Sequence, residues 1–326
     1  MQKKKKDREL PEKGFYKTMI ITPLAAESLG VRSAAFFVET ADVRVLIDPG
    51  VSLAPRRFGL PPHPLEIKAM NESWRAIKEF AAKAEVLVIT HYHFDHFDPT
   101  EPLVFNGKTL LIKHPKENIN ASQRARARDL IKNFRTLPRR VEFADNGEFR
   151  FGGTTLRFSP AVPHGPGAKV GWVVEVSIRE GESCFLHTSD IQGASLPQQA
   201  AFIRAESPDT LYLDGPLTYL LGQGFSPGDL RASIKNICDI IETTRVQTII
   251  IDHHLLRDPK WKEEIKEVLA RAEKTGKKVV TAAGFLGKDE EILEAHRRQL
   301  YAWNPDSPEE PIRRSRNFQL VKELEK

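Results

Sequence analysis

A mixed α/β fold is what these 326 residues predict, and three observations carry the reading. Three apolar, strand-like segments open the chain, "MIITPLA", "SAAFFVET" and "VRVLIDPGV", separated by Gly, Asp and polar turns. A helix expected over residues 72–83 leads into the apolar run Val86, Leu87, Val88, Ile89. A second such pair follows, a helix over 226–242 and the strand "VQTIII". Helix-to-strand connections of this kind place helices on the faces of a sheet.

The elements follow in order. The three opening segments begin a sheet, and the run 86–89 has strand length with no polar member. A short strand is expected at "TLLIK", then a basic helix at 121–134, "ASQRARARDLIKNF", then strands at "EFRFGG" and "TTLRFSP". "VGWVVEVSI" and "SCFLHTSD" pair across the turn "REGE", and "DTLYLDGP" follows as another strand. Ser226, Pro227 and Asp229 open the next helix as cap, first-turn proline and acid three residues after the cap. A last helix at 261–275, the strand "KVVTAA" and a charged stretch with "NPDSPEEPIRR" close the chain. "AEVLVITHYH" and "RVQTIIIDHH" each follow a helix and resemble one another, which hints at an internal duplication. No linker rich in Gly, Ser or Pro divides the chain. Residues 18–326 are therefore expected to form one domain behind a flexible basic tail at 1–17.

Composition narrows the function classes. At 40 % hydrophobic residues the chain can bury a sizeable core. No apolar run approaches the roughly 18–20 residues of a membrane span, and the basic N-terminus lacks the apolar stretch of a signal peptide. The expectation is a cytoplasmic protein without a membrane partner. Cys184 and Cys238 stand far apart, so any metal must be held by nitrogen and oxygen. The net charge of +5 admits a nucleic-acid partner, but five cationic residues fall in the first eight positions, where a solvated tail accounts for them.

The stretch "EVLVITHYHFDHFDP", residues 85–99, concentrates metal-capable side chains directly after an apolar strand. Residues two apart in an extended segment point the same way, so His91 and His93 can grip one ion. Asp95 and His96 lie a few ångströms further on and suit a second ion, since paired metals in hydrolytic sites sit about 3.5–4 Å apart. Charged and imidazole groups rarely gather beside a core without a partner.

"THYHFDH" resembles the H-x-H-x-D-H signature of the metallo-β-lactamase-fold hydrolases. Further matches follow in that family's order: Asp48 in "VLIDPG", His164 in "AVPHGPG", Asp190 in "CFLHTSD", and His253 or His254 in "IIIDHH". The resemblance implies a four-layer αββα sandwich with a two-metal site along one edge. By it, His91, His93 and His164 would bind one ion, Asp95, His96 and His253 the other, and Asp190 would bridge them. Zinc is the expected metal, with manganese and iron as alternatives. Asp48 would orient a ligand histidine or its loop, and His187 would back the ligands or belong to the core. If "TIII" stays extended through its end, His253 and His254 point oppositely and only one faces the metals; His253 is nearer the strand end.

The function expected is that of a metal-dependent hydrolase, in which a metal-bridging hydroxide attacks a phosphorus or carbonyl centre. Asp190 and Asp95 are the candidate catalytic carboxylates. A phosphodiester or phosphorylated substrate is preferred because "DHHLLRD" resembles the histidine-plus-arginine end motif of the family's RNA-processing and phosphodiesterase branches. Arg257 could there meet a phosphate, or instead form a surface ion pair with Asp258. Alternatives are a lactone, thioester or amide hydrolase and an iron-dependent oxidoreductase on the same fold. His63, His114 and His296 read as surface histidines, and Asp214 either as a residue at the site edge or, equally well, as part of a strand-terminal turn. Arg124, Arg126 and Arg128 read as a solvated helix face rather than a nucleic-acid groove.

Overall fold

In the computed structural model, residues 19–303 are described; the basic tail expected at 1–17 and the stretch "NPDSPEEPIRR" lie outside them. The first sheet runs in chain order: β1 (Ile20–Ala26), β2 (Ala34–Glu39), β3 (Arg44–Ile47), β4 (Val86–Ile89), β5 (Thr109–Ile112) and β6 (Arg140–Phe143). β1 to β3 pair antiparallel, and β3 to β6 pair parallel. A short ribbon joins β9 (Val162–Pro163) and β10 (Trp172–Val173). The second sheet holds β7 (Glu148–Phe151), β8 (Thr154–Phe158), β11 (Val176–Glu180), β12 (Ser183–His187), β13 (Thr210–Leu213), β14 (Thr248–Ile251) and β15 (Lys278–Val280). Its order is β15-β14-β13-β12-β11-β8-β7, parallel from β15 to β12 and antiparallel beyond.

Strand alternation explains the layers. Val86 and Val88 of β4 face Leu156, Val176 and Tyr212 in a layer between the sheets, while Leu87 and Ile89 face the helices α1 (Pro64–Lys83) and α2 (Ala121–Phe134). A strand buried on both faces needs an unbroken apolar run, as observed here. The second sheet is backed in the same way by α3 (Pro197–Glu206), α4 (Pro227–Thr243) and α6 (Lys266–Lys274), through Ile203, Ile237, Ile241 and Val268. The result is the αββα sandwich. No helix among the described residues is long and apolar enough to cross a membrane.

Several local expectations change. The helix expected at 72–83 begins at Pro64, where His63 caps it: its Nδ1 accepts from Leu65 N at 3.3 Å, and Glu66 Oε2 accepts from His63 N at 2.8 Å. His63 is therefore 1 % exposed rather than a surface histidine, because His-Pro-x-Glu is a capping box in which imidazole replaces the usual hydroxyl. His114 and His296 are half-buried. The helix expected at 261–275 breaks at buried Ile265 (φ −110°, ψ 22°), which separates α5 (Trp261–Glu264) from α6. α3 and β6 were not expected. The box that starts α3 uses Gln199, whose Oε1 accepts from Leu196 N at 2.8 Å, behind a cap with no polar side chain. β6 is a mostly exposed edge strand without a continuous apolar pattern. Two short helices, α7 (Ala282–Phe285) and α8 (Arg297–Trp303), end the described chain.

Both sheets run antiparallel and then parallel, but the two similar segments do not occupy equivalent places in that order. Counting from the last antiparallel pairing in each sheet, β4 corresponds to β13, whereas the two similar segments end in β4 and β14. What the architecture does supply is a shared edge. β1, β3, β4, β12, β13 and β14 are followed at their C-terminal ends by Glu27, Asp48, His91, Asp190, Asp214 and His253.

Candidate metal centre

The motif loop after β4 is built on an alternation of aromatic and polar residues. Tyr92, Phe94 and Phe97 are buried in the layer beneath α1 and α2, and the Tyr92 hydroxyl donates to the Lys113 carbonyl. That anchoring turns His91, His93, Asp95 and His96 to the opposite side. The segment is not extended throughout: His96 N donates to the His93 carbonyl at 3.0 Å, a tight turn that brings Asp95 and His96 back over the site. Asp48 holds the loop from β3, with Oδ1 accepting from Thr90 N at 2.8 Å and Oδ2 from Thr90 Oγ1 at 2.7 Å. Gly50 permits the approach, since a Cβ there would lie 2.1 Å from Phe97 N.

These side chains converge on Asp190. Its Oδ1 is 3.2 Å from His96 Nε2, and its Oδ2 lies 3.2 Å from His164 Nε2, 3.4 Å from His253, 3.6 Å from His91 and 3.7 Å from His254. His91 Nε2 also faces His93 Nδ1 at 3.0 Å, and Asp95 lies 4.0 Å from His96 Nε2 and 3.7 Å from His253 Nε2. His96 Nε2, His164 Nε2 and Asp190 Oδ1 are buried without a hydrogen-bond partner. Buried polar atoms left in this way call for an unseen partner, and a cation fits a pocket of nitrogen and oxygen donors. Donor atoms of His91, His93, His164 and Asp190 lie within 4.8 Å of one another, as do those of Asp95, His96 and His253, and of Asp190, His253 and His254. The cluster can hold divalent metal.

The outward-facing nitrogens are held by the protein. Nδ1 of His96 donates to Asp48 Oδ2 at 2.8 Å, Nδ1 of His253 to Glu27 Oε2 at 2.7 Å, and Nδ1 of His254 to Asp214 Oδ2 at 2.8 Å. Carboxylates in these positions fix each ring with its Nε2 facing Asp190. His91 Nδ1 meets Ser189 Oγ at 3.2 Å, and the Gln192 amide lies 3.3 Å from His164 Nδ1.

Both His253 and His254 face the centre, contrary to the expectation that only one would. The strand ends at Ile251, His253 takes a left-handed backbone (φ 50°), and His254 is helical, so strand alternation no longer applies. Asp48 and Ser189 are also left-handed (φ 48° and 58°). Non-glycine residues adopt this region at an energetic cost and are found at sites that the surrounding structure over-determines.

Electrostatics divide the imidazoles. Burial, aided by His96, drives His91 well below the ordinary imidazole range, and burial with His164 takes His93 down to about 3. Burial also disfavours charge on His253, but Glu27 and Asp190 outweigh it and push its pKa up to about 10. Asp190 stays well below the carboxylate range despite burial, because His96, His253 and His254 surround it.

Of the other expected residues, His187 is a core residue: its Nε2 meets the Ala34 carbonyl at 3.0 Å, its ring stacks on Tyr212, and its Nδ1 accepts from Ser189 N. Its link to the cluster runs through Ser189, whose Oγ lies 3.2 Å from His91 Nδ1. Arg257 is buried, not a surface partner of Asp258; its Nε donates to Glu27 Oε1 at 2.5 Å, and its Nη2 lies 3.3 Å from His253 Nε2 and 3.7 Å from Asp95. Glu27 was absent from the expected set, although an acid directly after the buried end of β1 repeats the placement of Asp48 after β3.

Comparison with known proteins accords with this geometry. Residues 29–178 match the model of the metallo-beta-lactamase superfamily. A UPF0282 protein of Korarchaeum cryptofilum is 48 % identical over 288 residues, 88 % of this chain and 96 % of the relative. The chain belongs to the UPF0282 family. Another UPF0282 member, from Sulfurisphaera tokodaii, is 47 % identical over 87 % of this chain and 93 % of its own. Unliganded yeast PDE1 shares the fold, with a TM-score of 0.50 and 15 % identity over 81 % of this chain and 97 % of that one.

Proposed function

We propose that this UPF0282 protein is a hydrolase that holds two divalent ions, zinc by preference, and cleaves a phosphodiester or phosphorylated substrate. The observation that carries the reading is the convergence on Asp190. Five imidazole Nε2 atoms lie within 3.7 Å of its carboxylate, and two of them, with Asp190 Oδ1, have no hydrogen-bond partner. Protons alone serve such a cluster poorly, since five buried imidazoles around one carboxylate cannot all be charged.

His91, His93 and His164 would hold one ion, and Asp95, His96 and His253 the other, with Asp190 between them and His254 as a further donor at 3.7 Å. When bound, such ions lower the pKa of a coordinated water toward neutrality and offset negative charge on the group under attack. Asp48, Glu27 and Asp214 keep three imidazoles oriented through their Nδ1 atoms. Asp190, whose Oδ1 faces His96 Nε2 at 3.2 Å, can help orient the attacking water or accept its proton. Asp95, whose side chain is 16 % exposed, lies on the solvent side and can orient that water. Arg257 has its Nε committed to Glu27 and its Nη2 3.3 Å from His253 Nε2, so Nη1 is its nitrogen left for a phosphate.

Metal analysis of protein purified without added metal, followed by a substrate screen, tests the proposal. About two zinc per chain, with bis-p-nitrophenyl phosphate cleaved faster than lactones or β-lactams, is expected. Stoichiometric iron without hydrolysis would favour an oxidoreductase. Faster turnover of lactones would overturn the substrate class, and absence of bound metal would overturn the whole reading.

A further inference from the structure

Among the described residues, one cation beside the centre, Arg126, makes no ion pair. Arg126 sits on α2 at the margin of its buried residues Gln123, Ala127 and Leu130. It does not join Arg124 and Arg128 on the solvated face. Its guanidinium lies 4.7 Å over the Phe94 ring, and its Nη1 donates to the Tyr92 carbonyl at 3.3 Å. Tyr92 and Phe94 flank His93, so the side chain is clamped beside that histidine. Nε is buried and has no hydrogen-bond partner.

Among the described residues no carboxylate forms an ion pair with Arg126. Asp129, the only acid of α2, lies 3.3 Å from Arg128. Asp95 acts on Arg126 through space, but its oxygens face His96, His253 and Arg257. On the far flank the guanidinium groups are neutralised, Arg257 by Glu27 and Arg32 by Glu294 in a two-point contact of 2.6 and 2.7 Å. Arg57 on that flank also reaches Glu294, at 3.9 Å, whereas Arg126 has no ion-pair partner among the described residues. A partly buried guanidinium without a counter-ion is unfavourable, and its planar fork matches the oxygens of a phosphoryl group.

We infer that Arg126 binds an anionic oxygen of a phosphate-bearing substrate at the His93 side of the centre, a role that rests on the proposed hydrolase activity. The ring of Phe94 supports one face of the guanidinium and the Tyr92 carbonyl fixes Nη1, which leaves Nη2 for the ligand.

The test compares zinc-loaded wild-type protein with Arg126→Gln and Arg126→Lys. Zinc content and melting temperature are measured first, then binding of inorganic phosphate by calorimetry, then KM and kcat for bis-p-nitrophenyl phosphate and for the neutral ester p-nitrophenyl acetate. Arg126→Gln should weaken phosphate binding by roughly tenfold or more, the worth of one charge-assisted hydrogen bond. It should raise KM for the diester similarly, leave the neutral ester and zinc content unchanged, and be partly rescued in Arg126→Lys. Unchanged phosphate binding would overturn the inference. So would equal losses for both substrates or a loss of zinc, because Arg126 would then merely brace the motif loop. Phosphate binding requires no turnover, so Arg126-dependent binding in a protein that cleaves none of the substrates would sink the hydrolase proposal alone. Diester cleavage with phosphate binding indifferent to Arg126 would sink this inference alone.

Discussion

His253 Nδ1 lies 2.7 Å from Glu27 Oε2 and so ties the end of β14 to the end of β1, residues 226 apart in the chain. The other oxygen of the same carboxylate accepts from Arg257 Nε. One acid therefore sets both the imidazole and the guanidinium on that flank.

Glu27→Gln should weaken metal binding by roughly 10–100-fold, the usual effect of losing a carboxylate behind a ligand histidine. The sandwich should persist, because its layers are apolar and lie away from Glu27. A zinc titration against a competing chelator, with circular dichroism as control, measures this. Unchanged affinity would mean that His253 keeps its orientation unaided.

His253→Ala and His254→Ala should each reduce bound metal, since both Nε2 atoms reach Asp190 Oδ2, at 3.4 and 3.7 Å. Metal content per chain is the readout. A His254→Ala protein with full metal and unaltered affinity would restrict the centre to one of the pair.

Gly50→Ala should destabilise the protein by about 1–3 kcal/mol, the range for overpacking a filled site, and weaken metal binding with it. The added Cβ would meet backbone atoms, Phe97 N at 2.1 Å and His96 C at 2.4 Å, which cannot rotate away as a side chain can. The motif loop itself would have to shift. Urea denaturation gives the stability, and a midpoint equal to wild type would show that the loop yields freely.

Acid should expose the Arg32–Glu294 pair. Burial alone would raise the pKa of Glu294, but Arg32 holds it down to about 2, well below the usual carboxylate range. A depressed carboxylate stabilises the folded state fully above its unfolded pKa and loses that contribution as pH falls through the folded value. Between about pH 4.5 and 2 the loss should approach roughly 3 kcal/mol. Glu294→Gln should flatten the stability profile across that window, as followed by chemical denaturation at several pH values. A profile as steep as wild type would assign the slope to other carboxylates.

What was legible in the sequence was local. His91, His93, Asp95 and His96 fall within six positions after an apolar strand, and Asp48, His164 and Asp190 were placed through an ordered resemblance to a known pattern. The partners that hold the rings were less accessible. Glu27 meets His253 only because β1 and β14 end at one edge of the sandwich, a fact of strand pairing that no short stretch encodes. Arg126 was hidden for a related reason: alternate arginines on α2 look equivalent until the aromatic packing of Phe94 singles one out. The His253–His254 geometry failed at a single backbone angle, the left-handed φ of His253, which ends the strand rule one residue before it was needed.

The tie between Glu27 and His253 also bears on how the chain folds. β1, β2, β3 and β4 can pair among themselves early, yet the centre lacks His253, His254 and their partner Asp214 until the chain has been made past residue 254. Contacts of such sequence separation form late, since loop closure over a long span precedes any gain from the contact. During synthesis the protein would pass through a stage with His91, His93 and His96 in place and the opposite wall missing, competent at most for loose metal capture. Tight loading becomes a sign that the last third of the fold has docked, so metal retention can report, in a refolding experiment, on the arrival of β14.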